Sequence, residues 1–391
     1  MKKLALIALM AIIVFSLIIT GCSTKAQNPT ASSTAQLSTS VATQASTTSA
    51  ATTSSTSTKS VTPEITWKLS TYLPPQDVQG QIAQWWCDEV AKRSNGRFII
   101  KPFFSEGLSK GSEEPDNLKA GLFEICSWTW SYYPTKGPIG NLLYLPYAVP
   151  FKPDQPDSWR TYLQMVTEYT QSPAVTAEFA KFNARVLVGN SPAGYNILSK
   201  RPINTVEDFK GLKVRAIGGI ADLLVKAGAA PTFFTMGEVS DALAKGTIEA
   251  HSHWWTSMYS FKMYEVAKYY TTDLSMGHGV CAYLVNDKAY QALPDDMKTI
   301  LDGVAQDAIE AEVQILSTQY TKAMAAFKDA GVTTINFPAE EQAKLIELAK
   351  PIWKDTVNKL ESQGLPAKDN FNLLQQLKNK YFPYLPVYTL D

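Results

Sequence analysis

Asp296 to Asp329 reads DMKTILDGVAQDAIEAEVQILSTQYTKAMAAFKD, a stretch without proline and with a single glycine, Gly303, that follows the turn signal Leu293-Pro294-Asp295. Its apolar positions Ile300, Leu301, Val304, Ala308, Val313, Leu316, Tyr320, Met324 and Phe327 recur at helical spacing. Read as one helix it extends about 50 Å at about 1.5 Å per residue, more than one small domain needs. A helix of that reach predicts two lobes tied together.

Upstream, strand and helix patterns alternate. Ile65, Trp67 and Leu69 form a period-two strand; Val78, Ile82, Trp85, Trp86 and Val90 recur as a helix, which Ser94-Asn95-Gly96 stops. Phe98-Ile99-Ile100 is the next strand, and a short helix ends at Gly121 before the strand Phe123 to Cys126. Further strands are read at Arg185 to Val188, Lys213 to Ile217, Thr232 to Phe234, Ile248 to Ala250 and Cys281 to Val285, with helices ending near Gly228 and Gly246. Strands separated by helices of about ten residues predict βαβ units, an α/β fold and mainly parallel sheets.

The chain begins differently. Lys2-Lys3, an apolar run from Leu4 to Ile19, and then Thr20-Gly21-Cys22 read as a secretory leader over 1–21. Ile19-Thr20-Gly21-Cys22 resembles a bacterial lipobox, in which the cysteine receives a diacylglycerol and becomes the new N-terminus. An uncleaved membrane helix is the alternative, for which the run barely reaches the minimum of about 17 residues. Residues 22–63 are almost wholly Ser, Thr, Ala and Gln, a composition that buries nothing and predicts a disordered tether reaching about 35 Å.

Composition sets further limits. The 391 residues are 45% hydrophobic, enough for a large core and two or three compact units. Basic and acidic side chains balance at 36 each; losing Lys2 and Lys3 with the leader leaves 34 against 36, a net charge of −2. With no basic cluster, a nucleic-acid partner is excluded. Three His and four Cys rule out zinc ribbons and dense disulfide frameworks, and Cys87, Cys126 and Cys281 are expected as buried free thiols.

Enzyme motifs fail on spacing. Gly189-Asn190-Ser191-Pro192-Ala193-Gly194 has one residue too many for a nucleophile elbow, and Gly277-His278-Gly279 lacks the third glycine of a dinucleotide fingerprint. His251-Ser252-His253 places two imidazoles on one side of an extended segment, where Glu249 or His278 could add a third metal ligand. Ordinary hydrogen-bonded histidines are the commoner outcome, so His251 and His253 are only minor metal candidates.

Glu89-Val90 through Ser94-Asn95-Gly96-Arg97, Leu118-Lys119-Ala120-Gly121, Leu145-Pro146-Tyr147, Asp208 to Arg215 (DFKGLKVR) and Val285 to Pro294 (VNDKAYQALP) resemble, in this order, the extracytoplasmic solute-binding proteins of TRAP (tripartite ATP-independent periplasmic) transporters. The resemblance spans essentially 64–391. It implies a two-lobed α/β fold like that of periplasmic binding proteins, closing on a ligand by hinge bending and crossed by a long helix. Lobe one would hold 64–192 with 281–320, and lobe two 193–280 with 321–391.

Arg215 is the main candidate for ligand contact. It arrives where a parallel strand ends, the edge at which α/β folds bind ligands, and its guanidinium can grip a carboxylate with two parallel hydrogen bonds. The family uses the Arg at this matching position for that task. Relatives that bind sialic acid place a second Arg where Tyr195 falls and an Asn where His253 falls; those that bind 2-oxo acids place an acid-Trp pair near Ser252-His253. Neither pattern is reproduced. Tyr72, Trp128, Thr129, Met236 and Trp254 fall at or beside positions that line the family's cleft, with core packing the competing role for each Trp.

The resemblance implies a non-enzymatic receptor that captures a small organic acid and delivers it to the two membrane subunits of a permease, anchored outside the cytoplasm through Cys22. No cofactor is implied; a metal ion accompanying the ligand stays open. A ligand-sensing surface lipoprotein needs the same cleft, and a metal-dependent surface hydrolase built on His251 and His253 is the third reading.

Overall fold

The computed structural model describes residues 64–149, 156–191, 194–234 and 236–390. The leader, Cys22 and the tether expected over 22–63 lie outside the described residues. The strands in chain order are β1 (Ile65–Ser70), β2 (Phe98–Phe103), β3 (Ile125–Thr129), β4 (Ala184–Asn190), β5 (Asn196–Ser199), β6 (Lys213–Arg215), β7 (Ala230–Thr232), β8 (Ala250–His253), β9 (Tyr269–Thr272), β10 (Cys281–Asn286) and β11 (Thr333–Asn336). They form two sheets, ordered β2-β1-β3-β10-β4 and β11-β9-β5-β8-β6-β7, one in each lobe.

The expectation of mainly parallel sheets holds only in part. β1 runs parallel to β2 and β3, and β6 parallel to β7 and β8, as βαβ units require. β10 runs antiparallel to both β3 and β4, and β5 antiparallel to both β8 and β9. The reversals have one cause: the chain leaves the first sheet after β4 to enter the second as β5, and leaves the second after β9 to return as β10. The two crossings meet in an antiparallel bridge, Gly194 with His278. Tyr195 N–H donates to the Gly277 carbonyl at 2.7 Å, and Met276 N–H donates to that of Tyr195 at 3.1 Å.

The helices that position the cleft are α1 (Val78–Arg93), α2 (Glu114–Ala120), α3 (Pro156–Thr170), α4 (Pro173–Ala180), α5 (Gly218–Lys226), α6 (Met236–Ala244), α7 (Trp255–Ser260), α8 (Asp287–Gln291) and α9 (Asp295–Asp329). Asp77 caps α1 by accepting from Gln79 N–H, and the stop read at Ser94-Asn95-Gly96 is a left-handed turn, with φ of 51° at Asn95 and 79° at Gly96.

The long helix is present, 35 residues beginning at Asp295. Its first half buries Met297, Leu301, Val304 and Ala308 in the same cluster as Ile82, Trp86 and Val90 of α1. Its second half reaches the other lobe while still touching the first: Tyr320 lies 5.4 Å from Trp255 of α7 and 6.0 Å from Trp159 of α3, and Phe327 lies 5.4 Å from Tyr270 of β9.

The C-terminal helices α10 (Ala339–Ser362) and α11 (Ala367–Tyr381) do not both stay with lobe two. α10 packs on α5, whereas α11 packs on α3 of lobe one. Trp353 Nε1 donates to the Pro146 carbonyl at 2.6 Å and Gln375 Nε2 to that of Ala148 at 3.0 Å. The tail is thus a second strap across both lobes, which 321–391 as a lobe-two segment did not anticipate.

Candidate functional site

β6 ends at Arg215 level with the end of β7 at Thr232, while β8 runs on to His253: Val214 pairs with Ala250 and Arg215 with His251. The flanking Leu212 and Val214 are wholly buried, so the strand is fixed by apolar contact on one side and delivers the guanidinium on the other. The Arg215 side chain is 0% exposed. Its Nε donates to the Phe234 carbonyl at 3.1 Å, which orients the group, while Nη1 and Nη2 make no well-formed hydrogen bond to the described residues, the Tyr132 hydroxyl standing nearby. Among the described residues no carboxylate pairs with it. A buried cation left without an anionic partner costs several kcal/mol.

His251 follows in register on β8, with His253 two residues on and therefore on the same face. Their rings stack, 5.1 Å apart at 16°. Both ring nitrogens of His251 and Nδ1 of His253 lack partners. Burial first, and then the adjacent Arg215 charge, hold both well below the usual histidine range, so both are neutral at pH 7. Tyr195 packs against this pair, its ring 5.4 Å from that of His253 and 5.4 Å from Trp254. Trp254 covers His253 at 3.8 Å.

The facing wall comes from lobe one. Tyr72 Oη and Thr129 Oγ1 share a hydrogen bond at 2.9 Å, and Thr129 Oγ1 meets Cys281 Sγ at 3.2 Å. Ser131 and Tyr132, in the turn after β3, reach towards lobe two; burial raises the Tyr132 hydroxyl, and the nearby Arg215 charge partly opposes it. A cavity of about 680 Å³ opens beside them, lined by Tyr72, Ser131 and Tyr132 on one side and Phe233, Met236 and Phe261 on the other. Arg215 itself is wholly buried and does not line this cavity.

Of the residues singled out in the sequence, Arg215, His253, Tyr195, Trp254 and His251 are brought together, and Tyr72, Thr129 and Met236 stand across from or beside them. Trp128 is the exception. Alternation along β3 turns it to the opposite face from Thr129, where its ring packs 4.5 Å from Tyr133 and 5.1 Å from Phe179. It is a core residue, not a cleft residue. Sequence reasoning missed Ser131, Tyr132 and the Phe234 carbonyl, since a turn and a loop place them; the aromatic run Trp128 to Tyr133 was the available signal.

Among the described residues no group of three His, Cys, Asp or Glu side chains converges as a metal site. Glu249 instead accepts from the Lys213 N–H at 3.3 Å, and the His278 ring lies 4.5 Å from that of Tyr162 at a tilt of 48°, so neither joins the His251–His253 pair. Cys87, Cys126 and Cys281 are buried free thiols.

The family model for bacterial extracellular solute-binding protein, family 7, matches residues 69–360. The chain belongs to this family. As a member it is an extracytoplasmic solute receptor of TRAP type and not an enzyme. It is 25% identical over 308 residues, 77% of this chain and 89% of the relative, to the C4-dicarboxylate-binding periplasmic protein DctP of Rhodobacter capsulatus. It is 24% identical over 306 residues, 72% of this chain and 86% of the relative, to an ectoine/5-hydroxyectoine-binding periplasmic protein of Ruegeria pomeroyi. Among solved structures, a TRAP solute-binding protein from Rhodoferax ferrireducens in complex with copurified benzoate superposes with a TM-score of 0.73 at 22% identity, covering 82% of this chain and 99% of that one. A marine metagenome TRAP solute-binding protein specific for aromatic acid ligands gives 0.74 at 24% identity, covering 82% and 100%. The two-lobed receptor fold read from the long helix is thereby established.

Proposed function

We propose that this receptor captures a small organic acid between its lobes, carboxylate on Arg215, and delivers it to the membrane subunits of a TRAP transporter while tethered to the membrane through lipid on Cys22. The observation that carries the reading is the buried Arg215 with both terminal nitrogens unpartnered. A carboxylate meets both at once, replacing the water the cation has lost with two charge-assisted bonds.

The mechanism is a population shift. A ligand that touches Arg215 on lobe two and the Tyr72–Tyr132 wall on lobe one binds the closed state better than the open one. Closure then presents a surface for a permease to recognise, and no bond is made or broken. The relatives' ligands support the carboxylate class, since dicarboxylates and benzoate both carry that group. A diacylglycerol on Cys22 supplies the two chains that stable anchoring takes.

A thermal-shift screen of organic acids tests the reading, because a ligand that binds only the folded form raises its melting temperature. Hits that lose their shift in Arg215→Ala support it; acids that shift wild type and variant alike refute the Arg215 role. Membrane association that persists in Cys22→Ser counts against the anchor.

A further inference from the structure

Arg215 is one charge, and the polar groups around it carry none. In register beside it, His251 offers two unpartnered ring nitrogens and His253 a third, in a stack 5.1 Å apart. Unpartnered polar atoms at full burial are costly unless something arrives to bond them. A neutral imidazole both donates and accepts, so the pair suits a hydroxyl or carbonyl, which can reciprocate. A second carboxylate would meet no second cation there. Lys110 and Glu106 both line the neighbouring cavity, one charge of each sign, with no ion pair between them; the Glu106 carboxylate accepts from Gly111 N–H at 2.9 Å. Trp254 and Tyr195 add two aromatic faces and Met236 an apolar side chain, and among the described residues the Tyr195 hydroxyl and Trp254 Nε1 are also without a partner, two further neutral groups that carry no charge for a second carboxylate.

We propose that the stacked His251–His253 pair is the specificity determinant of this site: it bonds an uncharged hydroxyl or carbonyl on the ligand, so that the receptor selects monocarboxylates with a flat apolar body and one further neutral polar group, and rejects dicarboxylates. The proposal rests on the carboxylate reading of Arg215. Burial and the Arg215 charge keep both imidazoles neutral, which prevents the pair from becoming a second anion site at pH 7.

The test is calorimetric titration of the full chain with matched probes: benzoate, its 2-, 3- and 4-hydroxy derivatives, isophthalate, terephthalate and succinate. The best hydroxybenzoate is expected to bind at least tenfold tighter than benzoate, and each dicarboxylate at least tenfold weaker. In His251→Phe and His253→Phe the ratio of hydroxybenzoate to benzoate affinity falls towards one. Dicarboxylates that match or exceed the benzoates, a hydroxyl that gains nothing in wild type, or a ratio unchanged in both variants overturns the proposal. The wild-type series decides even if a variant fails to fold. If acids bind through Arg215 but dicarboxylates win, only the specificity falls; if no organic acid binds at all, the carboxylate reading falls with it.

Discussion

The two walls of the cleft are differently finished: Tyr72, Ser131 and Tyr132 on lobe one are half-buried, whereas Arg215, His251 and His253 on lobe two are fully buried. On lobe one, the polar groups behind the cavity satisfy one another: Tyr72 with Thr129, Thr129 with Cys281, and Ser127 with Thr71 and Glu114. On lobe two, Arg215 and His251 keep five side-chain nitrogens among them, of which only Arg215 Nε has a partner. Lobe one thus presents a largely self-satisfied surface, with the Ser131 hydroxyl the exception, whereas lobe two holds a hydrogen-bonding set that the described residues leave incomplete. Burial alone does not mark a site; burial with missing partners does.

That contrast can be broken in order of effect. Trp128→Ala, in the layer behind the finished wall, should cost about 3–5 kcal/mol of stability by leaving a cavity against Phe179 and Tyr133, read as a lower midpoint in denaturant unfolding. A ligand fluorescence signal lost in the milder Trp128→Phe would instead put the indole in the cleft. Arg215→Ala, in the unfinished wall, should cost about 1.5–3 kcal/mol of carboxylate affinity, at least tenfold in Kd by calorimetry. Its melting temperature without ligand should hold or rise, because an unpaired buried charge is removed.

Two buried carboxyls tie the finished wall to its surroundings. Asp77 Oδ2 accepts from Ser260 of α7 at 3.1 Å, and Glu312 of α9 accepts from Ser191 N–H at the first crossing and from Gln79 Nε2. Burial, partly offset by these hydrogen bonds, pushes Glu312 up to about 8 and Asp77 to about 6. Because both bind their proton more tightly folded than unfolded, their stabilisation is complete below about pH 4 and is lost as pH rises through those values. Between pH 6 and 8 the Glu312 contribution should fall by about 1–3 kcal/mol, while the buried His251, His253 and His278, held below their unfolded values, contribute in the opposite direction. Glu312 is therefore read by difference: melting temperature against pH should rise more, or fall less, in Glu312→Gln than in wild type over this window, and identical profiles would assign the Glu312 contribution elsewhere. The smallest effect is expected for Thr129→Val, which removes the link between Tyr72 and Cys281 at about 1 kcal/mol in stability and under about threefold in Kd.

Much of this was legible in the sequence. The 34 residues from Asp296 to Asp329 carry a helical pattern without a breaker and proved to be one helix bridging both lobes. Arg215 could be placed at a strand end because Leu212 and Val214 alternate before it. Trp128 could not be placed, because every residue of Ile125–Thr129 is buried on one face or the other and period two carries no inside-outside signal there. The antiparallel pairings of β10 and β5 were hidden for a different reason: they depend on where the chain changes lobe, which local pattern does not encode. His251 and His253 were visible as a pair, but only the fold shows why they stay neutral: their full burial first, and then the charge of Arg215 on the neighbouring strand.

The most direct measurement is a crystal structure of the protein with a carboxylate from the screen. The account predicts both carboxylate oxygens about 2.7–2.9 Å from Nη1 and Nη2 of Arg215, with the acid enclosed by Tyr132 and Tyr195. A ligand seated in the cleft with its carboxylate turned away from Arg215, or bound outside the cleft altogether, would contradict it.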